Sequence, residues 1–432
     1  MTKIPEQLRC EMADMALMCW DELRLGEMMI QMELQFDGEL DSERLARALD
    51  LVLDAQPVLG CRAEIHPDRM VWRRLPAEER KNLAGADSES DYENFKISPI
   101  DSTAGPQVKA CLLRTGGRDR LLLKVAHQVA DAGGVKEVAE DVAAIYSRLE
   151  SEPGYIPEPN LDGCRDWMQV YRRVPRYAYP KIFLNFLREN RAVMIPFATR
   201  ALQLPEAASP PVAYITRLLS ADRVAALSEY GRARGATLND MVAAAYIRAN
   251  AASGGPEDRG RHRLHMTIDL RQWHLGSARA EGICNLSAFE YISLGKNPGL
   301  DFDDTLGRVS SFMRARKANW PGLNQVFHLP LYYRLSYEGL LKFFKSYMAF
   351  MTKKHNFPNT LTNMGQILPE HVTFDKLAPS SARLLVPPIY PPAFGAGLSG
   401  YNGTITLSAG APEAAKAAIE AFFDKILSEL PE

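Results

Sequence analysis

Residues 121–149, LLLKVAHQVADAGGVKEVAEDVAAIYSRL, change hydrophobic period within a few positions, and few folds accommodate that change. Leu121 to Ala126 is a short apolar run, long enough for a buried strand and too short for a helix. From Val135 onward, Val135, Val138, Val142, Ile145 and Leu149 fall on one helical face. A strand that passes directly into a long amphipathic helix predicts an α/β layer structure. His127, Asp131 and the Gly133-Gly134 pair occupy the connection, where a tight backbone on rigid elements can present side chains to a cleft. Alone, an H-x-x-x-D spacing is weak evidence of chemistry, because a histidine at a strand end more often serves structure.

Elements of the same kind precede this segment. Ile30, Met32, Leu34 and Phe36 alternate with Gln31, Glu33 and Gln35, which predicts a half-buried strand closed by an Asp37-Gly38 turn. In DSERLARALDLVLDAQP, Asp41 can cap a helix whose Leu45, Leu49, Val52 and Leu53 share a face, and Pro57 stops it. Short strands are expected through Cys61–Ile65 and around 70–75. A chain of 432 residues is too long for one core and predicts two domains of roughly 200 residues each. The expected division is 1–175 and 176–432, with the proline-rich stretch 151–211 as a partly helical connection. Fifty-one basic and 53 acidic side chains give a net charge of -2, with no general attraction for nucleic acid or anionic lipid, although local basic patches are compatible with it. The acid-rich N-terminus resembles neither a signal peptide nor a membrane span, and Cys10, Cys19, Cys61, Cys111, Cys164 and Cys284 form no C-x-x-C pair. Reduced, buried thiols and a cytoplasmic location are therefore expected.

The segment AHQVADAGG resembles the H-H-x-x-x-D-G motif of the chloramphenicol acetyltransferase-like superfamily, which includes peptide-synthetase condensation domains and other HxxxD acyltransferases. FDGELDSERLARALDLVLDAQPVLGCRAEI resembles the opening strand, helix and "HPxLR" segment of that family. ARGATLNDMVAAAYIRA is similar to the helix that opens the second half, TIDLRQW to the "DLR" strand, LTNMGQI to the "SN-x-G" segment and YNGTITLSAG to a late strand. The resemblance spans about residues 28–425. It implies two α/β subdomains, each a mixed sheet flanked by helices, arranged in a V around a central tunnel. The N-terminal subdomain carries the HxxxD motif, and the C-terminal one the DLR and TNMG segments.

The implied activity is transfer of an acyl group from a thioester to a hydroxyl or amine. His127 matches the catalytic histidine and is expected to act as general base, an imidazole titrating at about 6.5 being suited to that task. Asp131 and Arg271 match a structural salt bridge between the halves. Gly133, Gly134, Asn285 and Asn363 are candidates for oxyanion stabilisation or tunnel lining, although Asn363 could equally order a turn before Gly365. The motif departs from the family at Ala126 and Ala132, and Ala132 is less permissive than glycine if that position needs φ > 0.

Other signals are set aside or left open. GAGLSG at 395–400 lacks a dinucleotide-binding context and is expected to be a latch or channel-lining loop, with Tyr390 and Phe394 able to touch substrate. His262, His265 and His274 have no acidic or cysteine partner at ligand spacing, so no metal is expected. Asp301, Asp303 and Asp304 read as acids at a helix start. Residues 327–351 read as an amphipathic helix pair for a core or acyl channel, with membrane contact the lesser expectation. No tightly bound cofactor is expected. Acyl-coenzyme A or an acyl-carrier protein in trans would be cosubstrate to a monomeric enzyme with a small-molecule or lipid acceptor. A condensation-type catalyst using a carrier-borne donor, and a catalytically silent relative that binds a ligand or partner, are the alternatives.

Overall fold

The computed structural model describes residues 3–194, 199–205, 211–253, 260–276, 279–328, 332–357 and 359–432. The strands of the first half are β1 (Gln7–Arg9), β2 (Met29–Phe36), β3 (Cys61–Ile65), β4 (Met70–Arg74), β5 (Leu83–Ala86), β6 (Val108–Thr115) and β7 (Arg118–Ala126). Those of the second are β8 (Val212–Leu219), β9 (His262–Asp269), β10 (Ser287–Gly295), β11 (Asn359–Gln366), β12 (Ser381–Leu385), β13 (Gly395–Tyr401) and β14 (Thr404–Pro412). They form a five-stranded sheet ordered β12-β2-β7-β6-β5 and a six-stranded sheet ordered β10-β9-β11-β13-β14-β8, with β1, β4 and β3 in a small third sheet. Both large sheets are mixed: β5–β6 is parallel in the first, and β9–β11 and β11–β13 in the second. The halves interlock, because β12 leaves the second half to pair antiparallel with β2, Leu384 opposite Met32.

Local sequence accounts for most of these elements. Asp41 caps the helix Ser42–Ala55, its Oδ1 accepting from the N–H groups of Glu43 and Arg44 at 3.0 Å each. The predicted face Leu45, Leu49, Val52 and Leu53 is fully buried. β7 passes within five residues into the helix Ala132–Ser151, whose Val135, Val138, Val142, Ile145 and Leu149 are also buried. Asp301 caps the helix Phe302–Lys317, accepting from the Asp304 N–H at 2.8 Å. Among the described residues, no helix is long and apolar enough to cross a membrane.

Two expectations change, and a third falls partly outside the described residues. β2 is buried on both faces rather than one: Gln31 and Glu33 lie beneath the helix Glu89–Ile97 and the edge of the second sheet. Gln31 Nε2 donates to the Lys96 carbonyl at 3.0 Å and to the Tyr214 hydroxyl of β8, and Tyr92 donates to Glu33 at 3.0 Å. An alternating strand reads as one-sided only when nothing covers its polar face, and here the second sheet does. GAGLSG is no loop but most of β13, a central strand of the second sheet. Its glycines allow close packing: a Cβ on Gly397 would stand 2.3 Å from Val386 Cγ1, and one on Gly400 would stand 2.2 Å from Gln366 Nε2. Among the described residues of 327–351, the helix Tyr337–Lys353 is capped by Ser336 and packs on the first core through Tyr337 and Leu340. Residues 329–331 lie outside the described part of that stretch.

Candidate active site

His127 stands directly after the last residue of β7, and its own N–H donates to the Met28 carbonyl at 2.9 Å. Ala126 is fully buried and donates to the Gln107 carbonyl at 2.8 Å, so the position before His127 supports the loop through its backbone. The imidazole is half-buried, with Nδ1 3.0 Å from the Ala130 carbonyl oxygen. A carbonyl can only accept, so Nδ1 carries the proton and Nε2 is the basic nitrogen. Burial holds the His127 pKa below the usual imidazole value, against the Ala130 carbonyl and the Asp131 charge, which both raise it. The ring is neutral at neutral pH and suited to accept a proton at Nε2.

Asp131 caps the helix Ala132–Ser151, accepting from the Gly134 N–H at 2.9 Å. Both carboxylate oxygens also accept from Arg271 Nη1 at 2.9 Å, and Oδ2 accepts from the Leu286 N–H at 2.7 Å and the Ser287 hydroxyl at 3.2 Å. Its oxygens are therefore occupied by groups of the second half and its own helix rather than by the imidazole. Burial pushes the Asp131 pKa up, but the Arg271 charge and these donors together hold it below the usual carboxylate value.

Arg271 is buried as well, and its remaining donors reach Glu137 Oε1 at 3.0 Å and the Cys284 carbonyl at 3.1 Å. Arg271 lies two residues beyond the strand assigned to it, because β9 ends at Asp269. Asp269 caps a single helical turn, Leu270–His274. The close approach of the halves at this point rests on Gly133, where a Cβ would stand 2.7 Å from Arg271 Nη1. Ala132 is the first helical residue and has no positive φ, so alanine there is unstrained.

The candidate oxyanion donors separate. Asn285 is buried and its amide donates to the carbonyls of His127 at 3.0 Å and Gln128 at 3.1 Å, which leaves that amide engaged in holding the histidine loop. The Gly134 N–H is already given to Asp131. Asn363 is exposed, and its Oδ1 accepts from the N–H of Gly365 at 2.9 Å, at an irregularity within β11 where Gly365 has φ +76° and the pairing with β13 shifts register. Phe394 is a core side chain packed edge-on against Phe422, ring centroids 5.9 Å apart, rather than a channel wall. Tyr390 donates its hydroxyl to Glu27.

Two contributors were not singled out from the sequence. Glu137 adds a second acid to Arg271 and accepts from the Ala280 N–H at 3.0 Å. Lys136, on the first half, donates to the carbonyls of Met364 at 2.9 Å and Gln366 at 3.3 Å on β11. Nothing in local spacing marks either one, since both partners lie more than 130 residues away. Among the described residues, no three His, Cys, Asp or Glu side chains are grouped to hold a metal ion.

A histidine whose Nδ1 is held by a backbone carbonyl thus stands at a strand-to-helix junction, tied to the second half by a buried Asp–Arg pair. No family model matches the sequence. A 141-residue stretch is 26% identical to surfactin synthase subunit 2 of Bacillus subtilis, covering 30% of this chain and only 4% of that protein. Solved structures carry the likeness over the whole chain. Polyketide synthase associated protein 5 from Mycobacterium tuberculosis superposes with TM-score 0.70 at 18% identity, covering 97% of this chain and 96% of that one. The trichothecene 15-O-acetyltransferase of Fusarium sporotrichioides gives 0.72 at 12%, covering 98% and 94%. The first condensation domain of the calcium-dependent antibiotic synthetase, in complex with a substrate analogue, gives 0.70 at 16%, covering 99% and 96%. The chain has the chloramphenicol acetyltransferase-like fold shared by condensation domains and acetyltransferases.

Proposed function

We propose that the protein is an acyltransferase that moves an acyl group from a thioester, acyl-coenzyme A in the first instance, to a hydroxyl or amine. The observation that carries this reading is the His127 tautomer: Nδ1 bound to the Ala130 carbonyl leaves Nε2 as the base. In the ternary complex Nε2 takes the proton of the acceptor as its oxygen or nitrogen attacks the thioester carbonyl. The carbon–sulfur bond then breaks, and the imidazolium returns that proton to the thiolate. Atoms and charge balance without a covalent enzyme intermediate. The Asp131–Arg271 pair acts at one remove, holding the loop that aims the ring.

The assay is thiol release from acyl-coenzyme A donors of increasing chain length with pooled alcohol and amine acceptors. Acceptor-dependent release should fall by about 10²–10⁴-fold in His127→Ala. Equal release from both proteins would remove His127 as the base. The stretch similar to a surfactin synthase subunit favours a second reading, a condensation-type step with a carrier-borne donor. In that case free acyl-coenzyme A fails as donor and a loaded carrier protein succeeds.

A further inference from the structure

A second surface lies on the connection between the halves. Residues 172–188, RRVPRYAYPKIFLNFLR, carry five basic side chains and no acidic one, in a chain whose net charge is -2. Arg172, Arg173, Arg176, Lys181 and Arg188 are all exposed. So are four large apolar side chains of the same stretch: Tyr177, Phe183, Leu184 and Leu187 show between 44% and 77% of their surface. The helix Tyr179–Met194 explains how they are arrayed. Ile182 is fully buried and anchors one face against the core beneath β9 and β10. At 100° per residue, Phe183, Leu187 and Leu184 follow one another around the opposite side, and Arg188 and Lys181 come next. Phe183 is held in place by the Phe327 ring, centroids 5.2 Å apart, and Tyr177 by Trp320 at 6.5 Å.

Single exposed apolar residues are ordinary, but a contiguous row on one helix, flanked by cations within an acid-free run from 172 to 188 that ends at Glu189, is not. An apolar strip beside a basic flank fits the boundary between lipid headgroups and acyl chains, where the rings and leucines leave water and the cations meet anionic headgroups. An acidic protein would match the charge. It would not by itself account for two leucines and a phenylalanine presented outward on a helix whose other face is already anchored.

We propose that this face of the helix Tyr179–Met194 is an interfacial binding surface for membranes containing anionic lipid. The occupant is the headgroup layer of a bilayer; the helix lies on it and does not cross it.

The test is flotation of the full chain with phosphatidylcholine vesicles and with vesicles of phosphatidylcholine mixed with phosphatidylserine, at low and high salt. Wild type should float with the mixed vesicles, remain in solution with phosphatidylcholine alone, and be partly released by salt. Each removed cation should weaken partitioning about fivefold, so Lys181→Glu with Arg188→Glu should lose well over tenfold. Leu184→Asp with Leu187→Asp should lose binding too while keeping the wild-type thermal transition, because both side chains are exposed. No flotation with the mixed vesicles overturns the proposal, as does equal flotation of wild type and both variants. A dimer in sedimentation that the leucine variant dissociates, without vesicle binding, overturns it in favour of a second copy. Capture of an acidic protein through the same residues, again without vesicle binding, overturns it in favour of that partner.

Discussion

Arg271→Ala is the perturbation that tests most directly how the two halves are held around His127. The guanidinium donates to both oxygens of Asp131 and to Glu137 and the Cys284 carbonyl, and it is almost wholly buried. Removing it strands two buried carboxylates that have lost their cation. One partner removed from a buried pair costs about 3–5 kcal/mol, a hundredfold or more in the folding constant, and the second acid places this case at the upper end. The pH dependence carries a sign. In the wild type Arg271 holds the Asp131 pKa below its unfolded value. That contribution is fully present above about pH 3.9 and is lost as pH falls through the folded value. In the variant, burial without the cation raises the Asp131 pKa, so protonation relieves the strain and the destabilisation narrows on acidification from pH 7 toward 4. Urea unfolding of both proteins across that range measures it, with Arg271→Lys expected to recover only part, since an ammonium lacks the planar fork. A loss below about 1 kcal/mol at pH 7, or one independent of pH, would refute the assignment of the bridge as the clamp.

Gly133→Ala should destabilise by about 1–3 kcal/mol, because its Cβ would stand 2.7 Å from Arg271 Nη1, whereas Ala132→Gly should change stability by no more than about 1 kcal/mol; thermal unfolding compares them. Asn285→Ala removes both hydrogen bonds to the His127 and Gln128 carbonyls and should cost about 1–3 kcal/mol together with a fall in kcat; unchanged activity would remove Asn285 from the positioning of the loop. The rate should be flat above about pH 6.5 and decline only below it, since the lowered His127 pKa keeps the base neutral through that range; a decline that begins above pH 7 would contradict the neutral tautomer. Lys136→Met should lower stability while leaving the His127-dependent pH profile in place, as Lys136 ties the helix Ala132–Ser151 to β11 and does not contact the imidazole in any hydrogen bond described.

What the sequence determined by itself was local. The apolar run before His127 and the 3.6-residue period after it specify a strand and a helix wherever they are placed. Asp41 and Asp301 cap helices because a carboxylate there meets unpaired N–H groups in any context. Recognising Asp131 and Arg271 as partners needed a family resemblance, since their separation of 140 residues has no local signature. Tertiary structure decided the rest. β2 looked one-sided until β8 and the helix Glu89–Ile97 covered Gln31 and Glu33. GAGLSG looked like a loop until the close packing of Val386 and Gln366 made glycine the residue a central strand requires. Asn285 and Asn363 were indistinguishable as candidates in sequence, yet one is buried against two carbonyls of the histidine loop and the other faces solvent at an irregularity in β11. Period and capping are short-range forces, legible along the chain. Which polar face is covered, and which amide meets which carbonyl, depends on segments brought together only when the two sheets close on one another.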